Sequence, residues 1–113
     1  MRFFETIFLK DVKEFFGELD VKSVKKVLFN IELAEQTNDP RLFKKLNNNI
    51  WEFRTKYSGV QIRLLAFWDK SNNNNTLVIA THGFIKKSDK VPSNEIERAN
   101  KLRQIYFENK LLT

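Results

Sequence analysis

Cysteine is absent from the 113 residues of this chain, and histidine occurs once, as His82. Without cysteine there is no disulfide framework, no thiolate nucleophile and no cysteine zinc site. A lone histidine also excludes a histidine-rich metal site, which leaves carboxylates as the side chains that could hold a cation. We expect no cofactor, and composition leaves open only a cation that carboxylates would hold.

Long apolar segments are missing as well, because no run approaches the ~20 residues that a membrane-spanning helix needs. The N-terminal segment 1–5 carries Glu5 where a secretory signal would need its apolar region. These two absences predict a cytoplasmic protein with no membrane partner.

Acidic residues are the minority charge, with 14 against 20 lysines and arginines, and the formal net charge is +6. Such an excess favours a polyanionic partner such as nucleic acid, because binding releases condensed counterions. A merely basic protein without such a partner is the alternative that charge alone leaves open. Hydrophobic residues make up 42% of the chain, which predicts a globular protein with one domain over residues 1–113.

Hydrophobic periodicity predicts a strand, two helices, three strands and a final helix. The predicted strands cover residues 2–9, 50–57, 60–68 and 76–85; the predicted helices cover 11–19, a stretch from the Asp20 cap to the turn at 38–40, and 93–107, while 41–46 form a short basic amphipathic segment. Asp11 with Glu14 resembles a capping box, Ser58-Gly59 has the length of a tight hairpin, and 70–75 is a polar loop. The order β-α-α-β-β-β-α predicts an α+β fold, with helices packed on one side of a largely antiparallel sheet.

The segment 76–90, TLVIATHGFIKKSDK, brings the most chemistry to one place. Its apolar start is typical of a strand buried on both faces, and it delivers His82, Lys86, Lys87 and Lys90 to one end of the sheet. Strict alternation places one set of side chains on a single face: Val78, Ala80, His82, Phe84 and Lys86. Adjacent lysines point to opposite faces, so Lys86 and Lys87 line one groove only where the strand has ended.

The central predicted strand, 60–68, carries Arg63 among apolar neighbours. A guanidinium in that position needs an acidic partner, such as Glu52 or Glu5, or a groove that faces solvent. Because the next strand brings more cations to the same sheet, we favour a functional role for Arg63.

Three parts of the chain together resemble one known family: LNNNIWEFR at residues 46–54, Arg63 on the following strand, and HGFIKK at residues 82–87 followed by Pro92. They are similar to the RelE/HigB-type toxins of bacterial type II toxin–antitoxin systems, and more narrowly to the phage-derived HigB-like branch of the RelE/ParE superfamily. The resemblance covers most of the chain. It implies a RelE-like, microbial-ribonuclease-type fold and a metal-independent endoribonuclease. Such a toxin cuts mRNA in the ribosomal A site and is silenced by a cognate antitoxin, commonly with a helix-turn-helix domain.

The functional positions of that family carry over residue by residue. Arg54 and Arg63 match its strand arginines, whereas Lys86 and Lys87 match its basic pair. Lys90 matches a basic position further downstream. RelE itself has a functional tyrosine after its last strand, where this chain has none.

Cleavage of this kind uses the 2′-hydroxyl of the RNA as the nucleophile, so the protein must move protons and stabilise a phosphorane. Arg63 suits charge stabilisation because its planar fork matches phosphate oxygens, and Arg54 is either a second clamp or a structural partner of Glu52. Lys86 and Lys87 are candidate proton carriers or phosphate attractors. His82 is the acid–base candidate by its ordinary pKa, with a packed core histidine as the equal alternative.

Trp68 is the aromatic residue that we expect to stack on an unpaired base, whereas Trp51, Phe53 and Phe67 are expected in the core. Two other functions stay open: a ParE-like inhibitor of DNA gyrase on the same scaffold, and a basic RNA- or ribosome-binding module without catalysis. The gyrase inhibitor would not need a cationic cluster at one sheet end, so that cluster counts against it.

Overall fold

A five-stranded sheet forms the middle layer of the computed structural model, which describes residues 2–71 and 76–112. The elements follow in the order β1 (Glu5–Phe8), α1 (Lys10–Glu18), α2 (Val21–Thr37), β2 (Phe43–Lys45), β3 (Trp51–Tyr57), β4 (Val60–Asp69), β5 (Leu77–Lys86) and α3 (Ser93–Leu112). In space the strands lie in the order β1-β5-β4-β3-β2. The β1–β5 pair is parallel and the other three pairs are antiparallel. The prediction of an α+β fold with a largely antiparallel sheet is therefore confirmed.

The predicted helix cap at Asp20 and the predicted hairpin turn at Ser58-Gly59 are both present in the structure. The Asp20 carboxylate accepts a hydrogen bond of 2.6 Å from the Ser23 amide, which caps the start of α2. Ser58 and Gly59 join β3 to β4 with φ angles of 53° and 78°. Positive φ at both central positions is the requirement of a two-residue hairpin turn whose twist matches its strands.

The predicted capping box at Asp11 is wrong. The α1 helix begins at Lys10, and the flanking Leu9 makes no side-chain capping bond. The Asp11 carboxylate instead accepts a 2.9 Å hydrogen bond from Arg98 of α3. A contact between distant parts of the chain thus uses the group that the local pattern assigned to the helix end.

The helices lie on both faces of the sheet, so the prediction that they pack on one side is wrong. On one face, which we call the α1/α2 face, α1 and α2 cover a core of thirteen buried residues that includes Phe53, Leu64 and Val78. On the other, the α3 face, a separate core of Ile50, Leu65, Phe67, Ile79 and Ala99 lies beneath α3. The central strands carry apolar side chains at both parities, and each face of such strands requires its own cover.

The short strand β2 was not predicted. Residues 41–46 looked like a separate amphipathic segment, but Phe43 is buried and lies opposite Phe53 in the β2–β3 ladder. The two rings stack with centroids 4.4 Å apart. Only three residues of β2 join the sheet, so the second half of β3 lies beyond the end of β2.

A bulge in β5 overturns the predicted alternation of that strand. Leu65 of β4 lies opposite His82, but its neighbour Ala66 lies opposite Ala80, which leaves Thr81 as an extra residue. One extra residue reverses the facing of everything that follows it. As a result Val78 and Ala80 belong to the α1/α2 face, whereas the side chains after the bulge at 82, 84 and 86 belong to the α3 face.

The predicted loop 70–75 falls partly outside the described residues, since 72–75 are not described. Within the described ranges, none of the three helices has the length and apolar character needed to cross a membrane.

Candidate active site

The α3 helix covers only one half of its face of the sheet. Its first turn reaches His82 through Glu95, and its last turns reach Asp69 through Tyr106 and Lys110. The rows of the sheet between His82 and the β3–β4 turn lie beyond the first turn of α3. This half of the α3 face, which we call the open half, holds most of the predicted site residues.

Strand register places the open half in two rows across β3, β4 and β5. The first row is Arg54, Arg63 and Phe84, and the second is Lys56, Gln61 and Lys86. Side chains directly opposite one another on antiparallel strands have Cβ atoms ~4.5–5.5 Å apart. Two arginines therefore sit side by side, an arrangement that repulsion disfavours unless negative charge is present.

Glu52 supplies part of that negative charge. Its carboxylate lies 3.7 Å from Nε of Arg63 and 3.5 Å from Nε of Arg54. Both distances are longer than a good charge-assisted hydrogen bond. Nε of each arginine and Oε2 of Glu52 are buried without a hydrogen-bond partner in the protein.

Arg63 is the most buried cation of the open half, with 4% of its side chain exposed. Its Nη2 donates a 2.8 Å hydrogen bond to Oε1 of Gln61, and its Nη1 donates to the Ile62 carbonyl. Burial lowers the pKa of Arg63, with Glu52 opposing that shift and Arg54 adding to it. An arginine nevertheless stays charged in proteins, so the open half keeps a desolvated positive charge that a phosphate would stabilise.

A groove of about 400 Å³ reaches Arg63 from the β3 edge, next to the end of β2. We call it the arginine groove; its lining is Asn30, Arg41, Leu42, Arg54, Thr55, Lys56, Gln61 and Arg63. Sequence reasoning missed Arg41, Lys56 and Gln61. The parity of β3 and β4 could have indicated Lys56 and Gln61, because both share the face of Arg54 and Arg63.

A second groove, of about 300 Å³, lies across the hairpin end of the sheet. We call it the lysine groove; it is lined by residues 59–61 and 85–89, among them Lys86 and Lys87. Because β5 ends at Lys86, Lys87 is free of the strand alternation and both ammonium groups border the same groove. Gln61 lines both grooves and bonds to Arg63, so it connects the arginines to the lysines.

His82 lies under the first turn of α3 and is fully buried. Nε2 is 3.0 Å from Oε1 of Glu95, and Nδ1 is 3.0 Å from Oγ1 of Thr81. Burial lowers the pKa of His82, and the hydrogen bond with Glu95 opposes that shift. With both ring nitrogens engaged, His82 joins the bulge to α3 and presents no nitrogen to either groove.

The remaining predicted residues lie in two different places. Lys90 is exposed in the loop between β5 and α3. Trp68 lies at the opposite end of β4 from the hairpin, half-buried against the aromatic core of the α1/α2 face. The structure thus brings Arg54, Arg63, Lys86 and Lys87 together and leaves Trp68 apart.

The open half concentrates positive charge that can bind an anionic group. The forks of Arg54 and Arg63 border the arginine groove, and two lysines border the adjoining groove; guanidinium forks match phosphate oxygens in geometry. Among the residues that the structure describes, no group of three or more His, Asp or Glu side chains is placed to hold a metal ion.

The model of one protein family, described as phage-derived protein Gp49-like (DUF891), matches residues 14–104. The matched stretch runs from α1 into α3 and contains the whole open half. Comparison with curated proteins found no significant match. Membership in a toxin family of toxin–antitoxin systems implies an antitoxin partner. Since the family model covers most of the length of this chain, the chain belongs to the phage-derived Gp49-like family, a RelE-like toxin family of toxin–antitoxin systems.

Proposed function

We propose that this protein is the toxin of a type II toxin–antitoxin pair and cleaves mRNA on translating ribosomes without a metal ion. The observation that carries the proposal is Arg63, a desolvated guanidinium beside Arg54 at the end of an open, basic groove. Membership in a toxin family supports it further. The HigB-like branch and the helix-turn-helix antitoxin are part of the same proposal.

In the proposed reaction the 2′-hydroxyl attacks the adjacent phosphorus in line. The new bond is P–O2′ and the broken bond is P–O5′, which yields a 2′,3′-cyclic phosphate and a 5′-hydroxyl end. One proton leaves O2′ and one reaches O5′, so the step needs no metal, oxidant or reductant. The phosphorane between these states carries extra negative charge, which preorganised donors stabilise.

The arginines bind this phosphorane in our assignment. Arg63 contacts the non-bridging oxygens, and Arg54, half-buried on the neighbouring strand, completes the clamp. Glu52 holds both guanidinium groups on the same side of the sheet. Nε of each arginine lacks a hydrogen-bond partner and lies in a desolvated site. The electrostatic attraction between these guanidinium groups and a phosphate is therefore stronger than it would be for an exposed arginine.

The lysines carry the proton transfers in our assignment. Lys86 and Lys87 border one groove, which Gln61 joins to the arginine clamp. His82 acts indirectly, because its contacts fix the first turn of α3 and so the border of the open half. Lys90 adds positive charge in the loop between β5 and α3.

The test is the mapping of RNA ends in purified translation, with and without ribosomes. Arg63→Met keeps the volume of the side chain and removes its charge, whereas Arg2→Ala removes an exposed arginine far from the site in sequence. We expect the wild type and the Arg2 variant to produce ribosome-dependent 5′-hydroxyl ends, and the Arg63 variant to produce none. Ends without ribosomes would remove the ribosome from the proposal. An absence of wild-type ends would favour the gyrase inhibitor or the non-catalytic module.

A further inference from the structure

A third basic groove lies at the other end of the sheet, outside the arginine and lysine grooves. We call it the tryptophan groove: a space of about 370 Å³ that is lined by Trp51 of β3 and Trp68 of β4 and bordered by Lys45, Lys70 and Arg103. Asn48 and Asn49 complete its lining. It therefore combines two indole rings, three cations and two carboxamides, without an acidic side chain.

The three cations keep their charge available to a ligand. Within the described part of the chain, none of Lys45, Lys70 and Arg103 forms an ion pair with a carboxylate. Nζ of Lys70 lies 5.2 Å from the centre of the Trp68 ring, which draws positive charge over the aromatic surface. An anionic ligand in this groove would meet no acid to repel it.

The two indoles form a firm, half-exposed platform. Trp51 stacks on the buried Phe43 ring with centroids 5.0 Å apart, and Trp68 meets Trp51 edge to face at 5.5 Å. Packing against the core holds these rings in place, so a base that stacks on them has little conformational freedom of the protein to remove. Aromatic platforms beside basic grooves are how proteins bind single-stranded nucleic acid irrespective of sequence.

A basic path joins this groove to the proposed cleavage site. Trp68 lies five residues after Arg63 on β4, and this odd separation places its indole on the α1/α2 face, opposite to Arg63. The two Cα atoms are about 17 Å apart at ~3.3 Å per residue, so the path between the two sites passes around the edge of the sheet. The edge strand β2 runs between the arginine and tryptophan grooves and exposes Lys44 and Lys45. Lysine on an edge strand also discourages pairing with another sheet, but here it continues the positive surface.

We propose that the tryptophan groove is a second nucleic-acid subsite, which holds a single-stranded stretch of RNA flanking the scissile phosphate. One unpaired base lies against the indoles, and the neighbouring phosphates meet Lys45, Lys70 and Arg103. The inference rests on the proposed function for the identity of the RNA, although the groove itself does no chemistry. Trp68 thus acts in substrate binding, away from the reacting atoms.

The test uses the intrinsic fluorescence of the full chain, because Trp51 and Trp68 are its only two tryptophans. The probe is a short single-stranded oligodeoxynucleotide, which lacks the 2′-hydroxyl and cannot be cut by the proposed reaction. The test variant is Lys70→Gln/Arg103→Gln. The control, Lys25→Gln/Lys101→Gln, removes the same charge from exposed helix positions outside the groove.

We expect the probe to quench the fluorescence of the wild type and of the control. Each phosphate contact on a single strand contributes ~0.7 to the slope of log K against log salt, or roughly fivefold in affinity at about 0.1 M salt. The test variant should therefore bind about 25-fold more weakly, with a slope reduced by about 1.4. Equal losses in both double variants would overturn the subsite, as would binding without quenching.

The two proposals fail in different ways. Arg63→Met should abolish cleavage and keep the quenching at saturation, because Arg63 and Trp68 are separated along β4 and lie on opposite faces of the sheet. Quenching by the wild type without any RNA cleavage would remove the nuclease and leave the subsite. Cleavage without quenching would keep the nuclease and overturn the subsite, and the groove would then be open to a protein partner.

Discussion

The Glu52–Arg63 pair makes a prediction that separates stability from function. Both side chains are 4% exposed, yet they are 3.7 Å apart and keep unpaired polar atoms. Breaking a well-buried ion pair costs about 3–5 kcal/mol, because the remaining charge stays buried. Here Nε of Arg54 also lies 3.5 Å from Glu52 and would still offset its charge when Arg63 is replaced, so we expect a smaller loss of about 2 kcal/mol.

The double variant Glu52→Gln/Arg63→Met should be more stable than either single variant. It removes both desolvated charges together, and replacement of a buried pair by uncharged groups is often nearly neutral. If Glu52→Gln alone also costs about 2 kcal/mol and the double variant about 1 kcal/mol, the coupling energy is about 3 kcal/mol. The double variant should nevertheless show no RNA cleavage.

Urea unfolding followed by tryptophan fluorescence measures these free energies, provided that the slopes agree among variants. Lys10→Met is the control, since Lys10 and Glu14 form an exposed i,i+4 pair and its loss should change stability by under ~0.5 kcal/mol. Additive losses, with a double variant near 4 kcal/mol, would refute the coupling. A stable double variant that still cleaves RNA would refute the role of Arg63.

Three further predictions concern packing and pH. Gly83→Ala should lower the free energy of unfolding by about 1–3 kcal/mol, because an added Cβ meets the Phe15 ring. The control, Gly17→Ala, has open space around the added Cβ and should raise the free energy of unfolding by up to ~1 kcal/mol. Equal shifts of the melting temperature in the two variants would contradict the prediction. The hydrogen bonds of buried Asp69 hold its pKa below the ordinary range despite burial. The stability that the ionised carboxylate provides should therefore be lost as pH falls below about 5. Asp69→Asn should make the free energy of unfolding less dependent on pH in this acidic range, and an unchanged dependence would contradict the prediction. Burial lowers the pKa of His82, so protonation of this side chain favours unfolding as pH falls below about 6.5. His82→Gln should remove this loss of stability when the free energy of unfolding is measured against pH. Identical pH profiles of the variant and the wild type would contradict the prediction.

Local signals gave the parts of the fold that depend on a few neighbouring residues. Asp20 caps α2 through its own side chain, and Ser58-Gly59 adopts the turn that its backbone freedom permits. Asp11 shows the limit of such signals, because a partner far along the chain, Arg98, takes its carboxylate. Contacts of that kind depend on the assembled fold and leave no mark in a short window.

The face on which α3 packs could not be read from its own sequence. The periodicity of Ile96, Ala99, Leu102 and Tyr106 identifies an apolar stripe but not the surface that receives it. The signal lay in the sheet, since the run at 77–80 predicted burial on both faces. That run conflicts with a sheet covered on one side only, and the structure resolves the conflict through α3.

Part of the candidate site followed from strand parity and part did not. Arg54 and Arg63 are neighbours because β3 and β4 form a two-residue hairpin, which fixes their register. Lys86 joins them only because Thr81 adds a residue to β5, and a buried bulge has no sequence mark like that of a turn. The tryptophan groove draws on three separated segments of the chain, so no local motif could describe it.

Because of the bulge at Thr81, the face on which the cations of β5 lie depends on how many residues of that strand pair with β4 and not only on which residues they are. If Thr81 instead paired regularly with β4, every basic side chain would remain in the sequence and Lys86 would turn toward the α1/α2 face. Position 83 would then point to the α3 face, and its close approach to Phe15 would be lost. A relative that has the same number of residues here but no bulge must therefore restore the phase with another irregularity or place its cations on the other side. The gain or loss of this bulge is thus a route by which one scaffold could change which of its two surfaces carries the cations.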